Sequence, residues 1–312
     1  MSLTIKNLTK KYGEKTVVDN ISFEIDKPGV YALLGTNGAG KTTTLRIILG
    51  MLAHDEGEVL WDGKPLDPVR TNVGYLAEER GLYPKYSLLD QLLYFAKLKN
   101  VPKKVAMERI KDWSEKLKVT EYVFPEKKGK KKSKANRADQ LSKGNQQKIQ
   151  LMAALISDPK LIILDEPLSG LDPVNTDLFK SIIREEIAKD KYLIMSSHQM
   201  PTIEEFCSDI LIMNRGKAVL QGDLNQIKKS YGRVNLFVKC DIEIDQYINA
   251  FGLKVKEKTP SQYHLKVTGQ EQAMAFLTKL IEDKVPVVKF ELREPSLHEI
   301  FVEKVGDVHE EE

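Results

Sequence analysis

The chain has little cysteine and no long apolar run. Only two of its 312 residues are cysteines, Cys207 and Cys240. They lie far apart and form no C-x-x-C pair, which argues against a disulfide scaffold or a zinc ribbon and for a reducing compartment. No apolar stretch approaches the roughly 20 residues that span a bilayer. The longest are short pieces such as 151–156 and 161–164. The first six residues, Met1 to Lys6, contain no apolar core, so a signal peptide is not expected. Nor is charge one-sided: 48 Lys and Arg face 45 Asp and Glu. A net charge of +3 gives no electrostatic footprint for nucleic acid. The rest is the composition of a soluble globular chain long enough for two domains.

Hydrophobic periodicity divides the chain. Residues 3–8 and 16–25 read as strands split by a turn at Tyr12-Gly13-Glu14. A short buried strand at 30–34 leads into a glycine-rich loop and a helix from Lys41 to about Leu52. Residues 87–157 read as mostly helical, with Ser87 and Asp90 as a capping pair and further helices at 103–118 and 143–157. From Lys160 strands and helices alternate: strands at 161–165 and 192–197 flank a helix at 174–189, which implies a parallel sheet. Near residue 230 the rhythm changes to β-α-β-β-α-β plus a terminal helix, a ferredoxin-like order. The expected domains are 1–222, with a helical part at about 87–157, and 230–312.

Gly35-Thr36-Asn37-Gly38-Ala39-Gly40-Lys41-Thr42 matches G-x-x-x-x-G-K-[ST] between a strand and a helix. Glycines let backbone N–H groups turn inward around phosphate oxygens, and the helix N-terminus adds partial positive charge. Lys41 supplies a point charge for the β- and γ-phosphates, and the Thr42 hydroxyl can reach Mg2+. The apolar strand at 161–164 ends in Asp165 and Glu166. Adjacent strand residues face opposite ways, so Asp165 is expected to hold the metal shell and Glu166 to polarise a water elsewhere. Ser142 opens an apolar helix as its N-cap, giving Leu141-Ser142-Lys143-Gly144-Asn145-Gln146-Gln147 a second anion-binding start. A kinase has no need of that second device.

In combination these segments resemble the nucleotide-binding subunit of an ABC transporter over roughly residues 3–222. Gly35 to Thr42 resembles the Walker A loop, with Thr43 beside it. Leu161 to Glu166 resembles Walker B, and Leu141 to Gln147 the signature. Ser169-Gly170-Leu171-Asp172 resembles the D-loop and Ser196-Ser197-His198 the switch histidine. Tyr12 falls where the family stacks an aromatic on adenine. The wording from Gly74 to Pro84 and from Arg293 to Phe301 resembles bacterial ABC-2-type exporters of the sodium and drug extrusion kind. The resemblance implies an α/β P-loop ATPase with an N-terminal antiparallel β subdomain and a helical subdomain. A small C-terminal α+β accessory domain would follow.

The resemblance also implies roles. ATP with Mg2+ would contact Gly35, Asn37, Gly38, Ala39, Gly40, Lys41, Thr42 and Thr43. Thr42, Asp165 and Glu78 would meet the metal, Glu166 would act as general base, and His198 would contact the γ-phosphate and Glu166. Ser142, Gly144, Asn145 and Asp172 would serve a nucleotide across a head-to-tail dimer, homo- or heteromeric. The segment 78–91 would pass motion to a separate membrane permease, placing the chain on the inner face of a bacterial membrane. Departures are Glu78 where glutamine is usual, Lys143 and Asn145 where glycine and glutamine are more common, and Thr36 where proline is common.

Lys127, Lys128, Lys130, Lys131, Lys132 and Lys134 crowd eight residues. They read as a solvated loop, or as a contact with anionic headgroups. His54, His264, His298 and His309 read as ordinary histidines. The alternative functions are a non-transport ABC ATPase and an ATP-dependent regulator. Translation and repair types would need two cassettes or a long coiled coil. A non-hydrolysing regulator would have no need of Asp165, Glu166 and His198 together.

Overall fold

The computed structural model describes residues 1–78, 81–125, 136–260 and 262–306. The lysine stretch at 127–134, Glu79, Arg80 and His309 lie outside these residues. The chain divides into two compact units, Met1–Gln221 and a second that begins at Gly222.

The first unit opens with β1 (Leu3–Tyr12) and β2 (Lys15–Ile25), an antiparallel hairpin turning at Gly13. β3 (Gly29–Gly35) then runs into α1 (Lys41–Ile48). The sequence pattern continues that helix to Leu52, but it stops four residues earlier. Gly50 adopts the left-handed conformation at φ +66, and Met51 N–H donates back to Arg46 O, which closes the last turn. β4 (Glu56–Trp61), β5 (Lys64–Pro65) and β6 (Val73–Leu76) follow.

The helical part comprises α2 (Leu88–Leu98), α3 (Lys103–Lys116), α4 (Thr120–Val123) and α5 (Lys143–Leu155). Ser87 caps α2 as expected, its hydroxyl accepting from the Asp90 N–H. Lys118 at φ +55 ends α3 short of its expected limit. Buried Gln91 on α2 accepts from the Tyr83 N–H at 2.8 Å and donates to the carbonyls of Tyr83 and Tyr86. One amide thereby fixes the loop ahead of the helix.

β7 (Leu161–Asp165), α6 (Pro173–Ile187), β8 (Tyr192–Ser197), α7 (Met200–Phe206), β9 (Cys207–Asn214) and β10 (Lys217–Asp223) complete the cassette. The central sheet runs β10-β9-β3-β8-β7-β6, and β9, β3, β8, β7 and β6 pair in parallel. Every residue of β7 and β8 is buried, as a parallel sheet covered on both faces requires. The second sheet, β2-β1-β4-β5, shares a core with it: Leu3, Ile5, Leu8, Ile21 and Phe23 join Tyr31, Leu33, Ile163 and Ile194.

The second unit begins with α8 (Leu224–Tyr231). β11 (Asn235–Cys240), α9 (Asp245–Ala250), β12 (Lys254–Thr259), β13 (Gln262–Lys266), α10 (Gln270–Glu282), β14 (Val287–Arg293) and α11 (Leu297–Gly306) follow. The antiparallel sheet order β12-β13-β11-β14 with two crossing helices is the ferredoxin-like arrangement. Its core packs Leu236, Val238 and Leu265 with Phe276 and Leu280. The segment 293–301 has a local explanation. Ser296 Oγ accepts from the Glu299 N–H, and Glu299 Oε2 accepts from the Ser296 N–H at 2.9 Å, a reciprocal cap on α11. Lys256 Nζ pairs with Glu299 Oε1 at 2.5 Å, and Asn235 donates to Oε2 at 2.8 Å.

A buried ion network ties α6 to Lys191, the residue before β8. Lys191 is 5% exposed and Glu186 1% exposed. Lys191 contacts Glu186 Oε2 and, at 2.5 Å, Asp158 Oδ1, while Lys189 reaches Glu186 Oε1 at 2.6 Å. Removing one partner of such a network leaves a buried charge uncompensated. Lys191→Ala is therefore expected to lower the unfolding free energy of the first unit by about 3 kcal/mol. Urea denaturation checks this. Lys191→Met combined with Glu186→Leu should recover most of the loss.

Candidate active site

The loop after β3 is shaped by positive φ. Gly38 sits at φ +81 and Gly40 at φ +102. A Cβ on Gly40 would lie 2.6 Å from the Val17 carbonyl oxygen, so this position needs glycine for space as well as conformation. The loop walls a cavity of about 500 Å³ together with the N-terminus of α1. Asn37, Gly38, Ala39, Gly40, Lys41, Thr42 and Thr43 line one side, and Glu78, Glu166, Ser169 and His198 the other.

Lys41 is 7% exposed. Its ammonium donates to the Gly35 carbonyl at 2.8 Å and the Thr36 carbonyl at 3.2 Å, and lies 4.0 Å from Glu166 Oε1. Thr42 Oγ1 donates to Asp165 Oδ1 at 3.4 Å, and Ser196 Oγ to the same oxygen at 2.5 Å. The register β7–β8 sets Asp165 opposite Ser196 and so creates that contact. Asp165 Oδ2 is buried with no hydrogen-bond partner. Burial raises the Asp165 pKa above the ordinary carboxylate value, an effect partly offset by the two hydroxyl donors.

Glu166 does not continue the strand. β7 ends at Asp165, and Glu166 adopts the left-handed conformation at φ +50. A turn, not strand alternation, therefore directs its side chain. Its N–H is held by Ser196 Oγ at 3.0 Å. Its Oε2 lies 2.9 Å from His198 Nδ1, and the carboxylate is 7% exposed. A non-glycine residue in this conformation stores local strain, which such sites tolerate when neighbours enforce it.

The geometry gathers Lys41, Thr42, Asp165, Glu166 and His198, while Glu78 stands exposed at the cavity lip. Among the expected residues it does not gather Tyr12, Ser142, Gly144, Asn145 and Asp172. Tyr12 is 53% exposed at the end of β1, with Lys10 Nζ 5.5 Å from its ring centre. Ser142, Gly144 and Asn145 sit at the N-terminus of α5 and line no part of the loop cavity. Ser142 Oγ accepts from the Asn145 N–H at 3.3 Å, the expected cap. Asp172 caps α6 instead of facing the cavity: its oxygens accept from the Asn175 N–H and side-chain amide. Sequence reasoning missed Ser196 as the hydroxyl joining Asp165 to Glu166. Its place in the segment Ser196-Ser197-His198 was the available signal.

The donor set suits a hard divalent ion. Among the described residues no group of three or more His, Cys, Asp or Glu is arranged to hold a metal. One carboxylate with an unpartnered buried oxygen, beside a hydroxyl, is instead the sparse protein contribution that Mg2+ takes when phosphates supply other ligands.

A phosphate cradle, a buried carboxylate pair and a histidine on a parallel sheet with a helical insertion define a P-loop ATPase of the cassette type. Residues 18–169 match the family model described as ABC transporter. Residues 222–305 match the C-terminal domain of DrrA1-3-like ATP-binding proteins. The ABC transporter ATP-binding protein YhaQ of Bacillus subtilis (strain 168) is 40% identical over 309 residues, covering 99% of this chain and all of that protein. The Nod factor export ATP-binding protein I of Ralstonia nicotianae is 30% identical, covering 77% of this chain and 71% of that protein. A solved structure of an ATP-binding subunit of an ABC transporter superposes with a TM-score of 0.66 at 26% identity, covering 74% of this chain and 93% of that one. The chain belongs to the ABC transporter ATP-binding protein family, whose members hydrolyse ATP, dimerise and work with membrane permeases. Among its described residues no helix is long and apolar enough to cross a membrane.

The raised Asp165 pKa has a consequence for stability. The folded state binds the proton more tightly than the unfolded state, so the ionised carboxylate costs stability at neutral pH. That cost disappears as pH falls through the folded-state pKa. In the absence of nucleotide, Asp165→Asn is expected to melt above the wild type at neutral pH. The gap should close as pH falls toward the ordinary carboxylate range. Differential scanning fluorimetry across pH checks the sign.

Proposed function

We propose that this chain is the motor of an ABC exporter, working as a dimer on the cytoplasmic face of a membrane against a separate permease. The observation that carries the hydrolytic reading is the contact of Glu166 with His198 at 2.9 Å, at the edge of the cavity that holds Lys41. Lys41 and the loop N–H groups neutralise and orient the β- and γ-phosphates. Mg2+, held by Thr42 and Asp165 with Glu78 near, would neutralise charge that develops on the phosphate oxygens. Glu166 takes a proton from the attacking water as the bond from the γ-phosphorus to the bridging oxygen breaks. His198 fixes the carboxylate and senses the γ-phosphate. Tyr12 offers its exposed ring to adenine.

The dimer reading rests on what the loop cavity leaves out. Ser142, Gly144 and Asn145 form an anion-binding helix start that does not line it. They would serve the nucleotide of a second copy, with Asp172 and the D-loop at the same junction. The γ-phosphate then joins two chains, and its hydrolysis releases them.

The permease reading rests on an apolar groove of about 450 Å³ between the α1–β6 region and α2, which includes Met51, Tyr75, Leu82, Phe95 and Leu98. Tyr83 stacks on Phe95 beside it and is 48% exposed, held in place by Gln91. Such a groove suits an amphipathic helix of the permease. Export is supported by the likeness to the Nod factor export ATP-binding protein and by the DrrA-like second unit. A contact of residues 127–134 with anionic headgroups fits the same location.

Glu166→Gln is expected to bind ATP, to lose about 100-fold or more in turnover, and to accumulate as an ATP-bound dimer. Phosphate-release kinetics and size-exclusion chromatography with ATP check this. Unchanged turnover would remove Glu166 from the role of base. Co-purification of a multispan protein from detergent extracts tests the permease.

A further inference from the structure

Two residues of this chain break local electrostatic rules, and they break them on the same cavity. Lys143 occupies the first position of α5, where the partial positive charge of the helix N-terminus disfavours a cation. Glu78 stands at the lip of the phosphate cavity beside a second carboxylate, Glu166, where the ligand itself is an anion. Both line one further cavity of about 270 Å³ that opens between α5 and the catalytic residues. Glu166 and Ser169 complete that wall, so this space adjoins the reacting centre.

Lys143 reaches into it along a defined path. Its ammonium passes so close to Gly170 that a Cβ there would lie 2.6 Å from Nζ, and Gly170 is left-handed at φ +69. The D-loop thus leaves room for this lysine. Among the described residues neither Lys143 nor Glu78 has an ion-pair partner within 4.0 Å. Gln147, one helical turn after Lys143, lines the same cavity with a buried Oε1 that has no donor. The cavity therefore holds one carboxylate, Glu78, without a cation partner, and on α5 a cation without an anion partner beside an acceptor without a donor.

We propose that Lys143 is a positioning residue for the ATPase reaction and acts through Glu78. It offsets the charge of that carboxylate and draws it toward α5, so that the polyphosphate can settle beside Glu78 without facing its full charge. The inference rests on the ATPase reading above.

The test is a double-mutant cycle at residues 78 and 143. Binding of a fluorescent ATP analogue with Mg2+, and KM and kcat for ATP, are measured in the full chain. The variants are Lys143→Gln, Lys143→Arg, Glu78→Gln and the Lys143→Gln/Glu78→Gln double. Lys143→Gln is expected to weaken nucleotide binding and raise KM about fivefold at low salt, with kcat changed less. High salt should shrink the effect, since the pair is solvent-accessible. Lys143→Arg should retain wild-type affinity. In the Glu78→Gln background, Lys143→Gln should cost about twofold or less, because the charge it offsets is gone. Equal losses in both backgrounds would overturn the proposal, as would an unchanged Lys143→Gln. Either result with Glu166→Gln still inactive leaves the ATPase reading standing. A wild-type chain that neither binds nor hydrolyses ATP would overturn that reading instead.

Discussion

Charge is buried at the carboxyl end of an apolar sheet, and the site is built around satisfying it there. β7 and β8 are buried at every residue, yet β7 ends in Asp165 at 1% exposure, with Glu166 next to it and Lys41 across the loop. Unpaired, such groups would cost several kcal/mol each. All but Asp165 Oδ2 are met by one another, by hydroxyls or by carbonyls: Ser196 serves Asp165 Oδ1 and the Glu166 N–H, and Lys41 is held by two loop carbonyls. Strand register makes these contacts. Asp165 lies opposite Ser196, and Leu34 lies opposite Ser197. A slip of one residue along β8 would turn Ser196 to the other face of the sheet and strand the Asp165 carboxylate in an apolar layer.

This dependence explains which parts of the site were legible in the sequence. The phosphate loop was legible because its requirements are local. Glycines at positive φ, a lysine and a hydroxyl at a helix start are set by neighbours in the chain. The parallel sheet was legible from alternation of strand and helix, whereas the second unit, expected from residue 230, begins at Gly222, because α8 precedes the change of rhythm. Strand alternation does not set the direction of Glu166, which comes from a left-handed turn whose N–H is held by Ser196, thirty residues away. Helix ends were overestimated where left-handed residues, Gly50 and Lys118, stop a pattern that hydrophobic spacing would continue. Asp172 looked like a nucleotide contact but is also the cap that α6 requires.

The second unit shows the same economy on a smaller scale. Ser296 and Glu299 read as part of a family-like segment, and the structure gives them a mechanical task. Glu299 is held well below the usual carboxylate range, to about 2: burial opposes this, but hydrogen bonds from Lys256 and Ser296 outweigh it. One ionised side chain therefore starts α11, anchors Lys256 on β12 and receives Asn235 from β11. A lone residue that caps a helix and pins two strands constrains the end of the domain more than its apolar contacts alone would.

The separation of the two anion-binding devices has a mechanical meaning. Within one chain, the loop at Gly35–Lys41 and the start of α5 at Ser142 address different spaces, for Ser142 and Gly144 line neither cavity next to Glu166. On the dimer proposed above, ATP would act as a link between copies, its terminal phosphate meeting the loop of one chain and the α5 start of the other. The chain that hydrolyses the link need not contain the membrane path, provided that the loop fixed by Gln91 transmits the closing motion. Lys143 would add tuning here, because it starts α5 and shares a cavity with the carboxylate of Glu78. Its charge would couple the position of α5 to the electrostatic cost of admitting nucleotide.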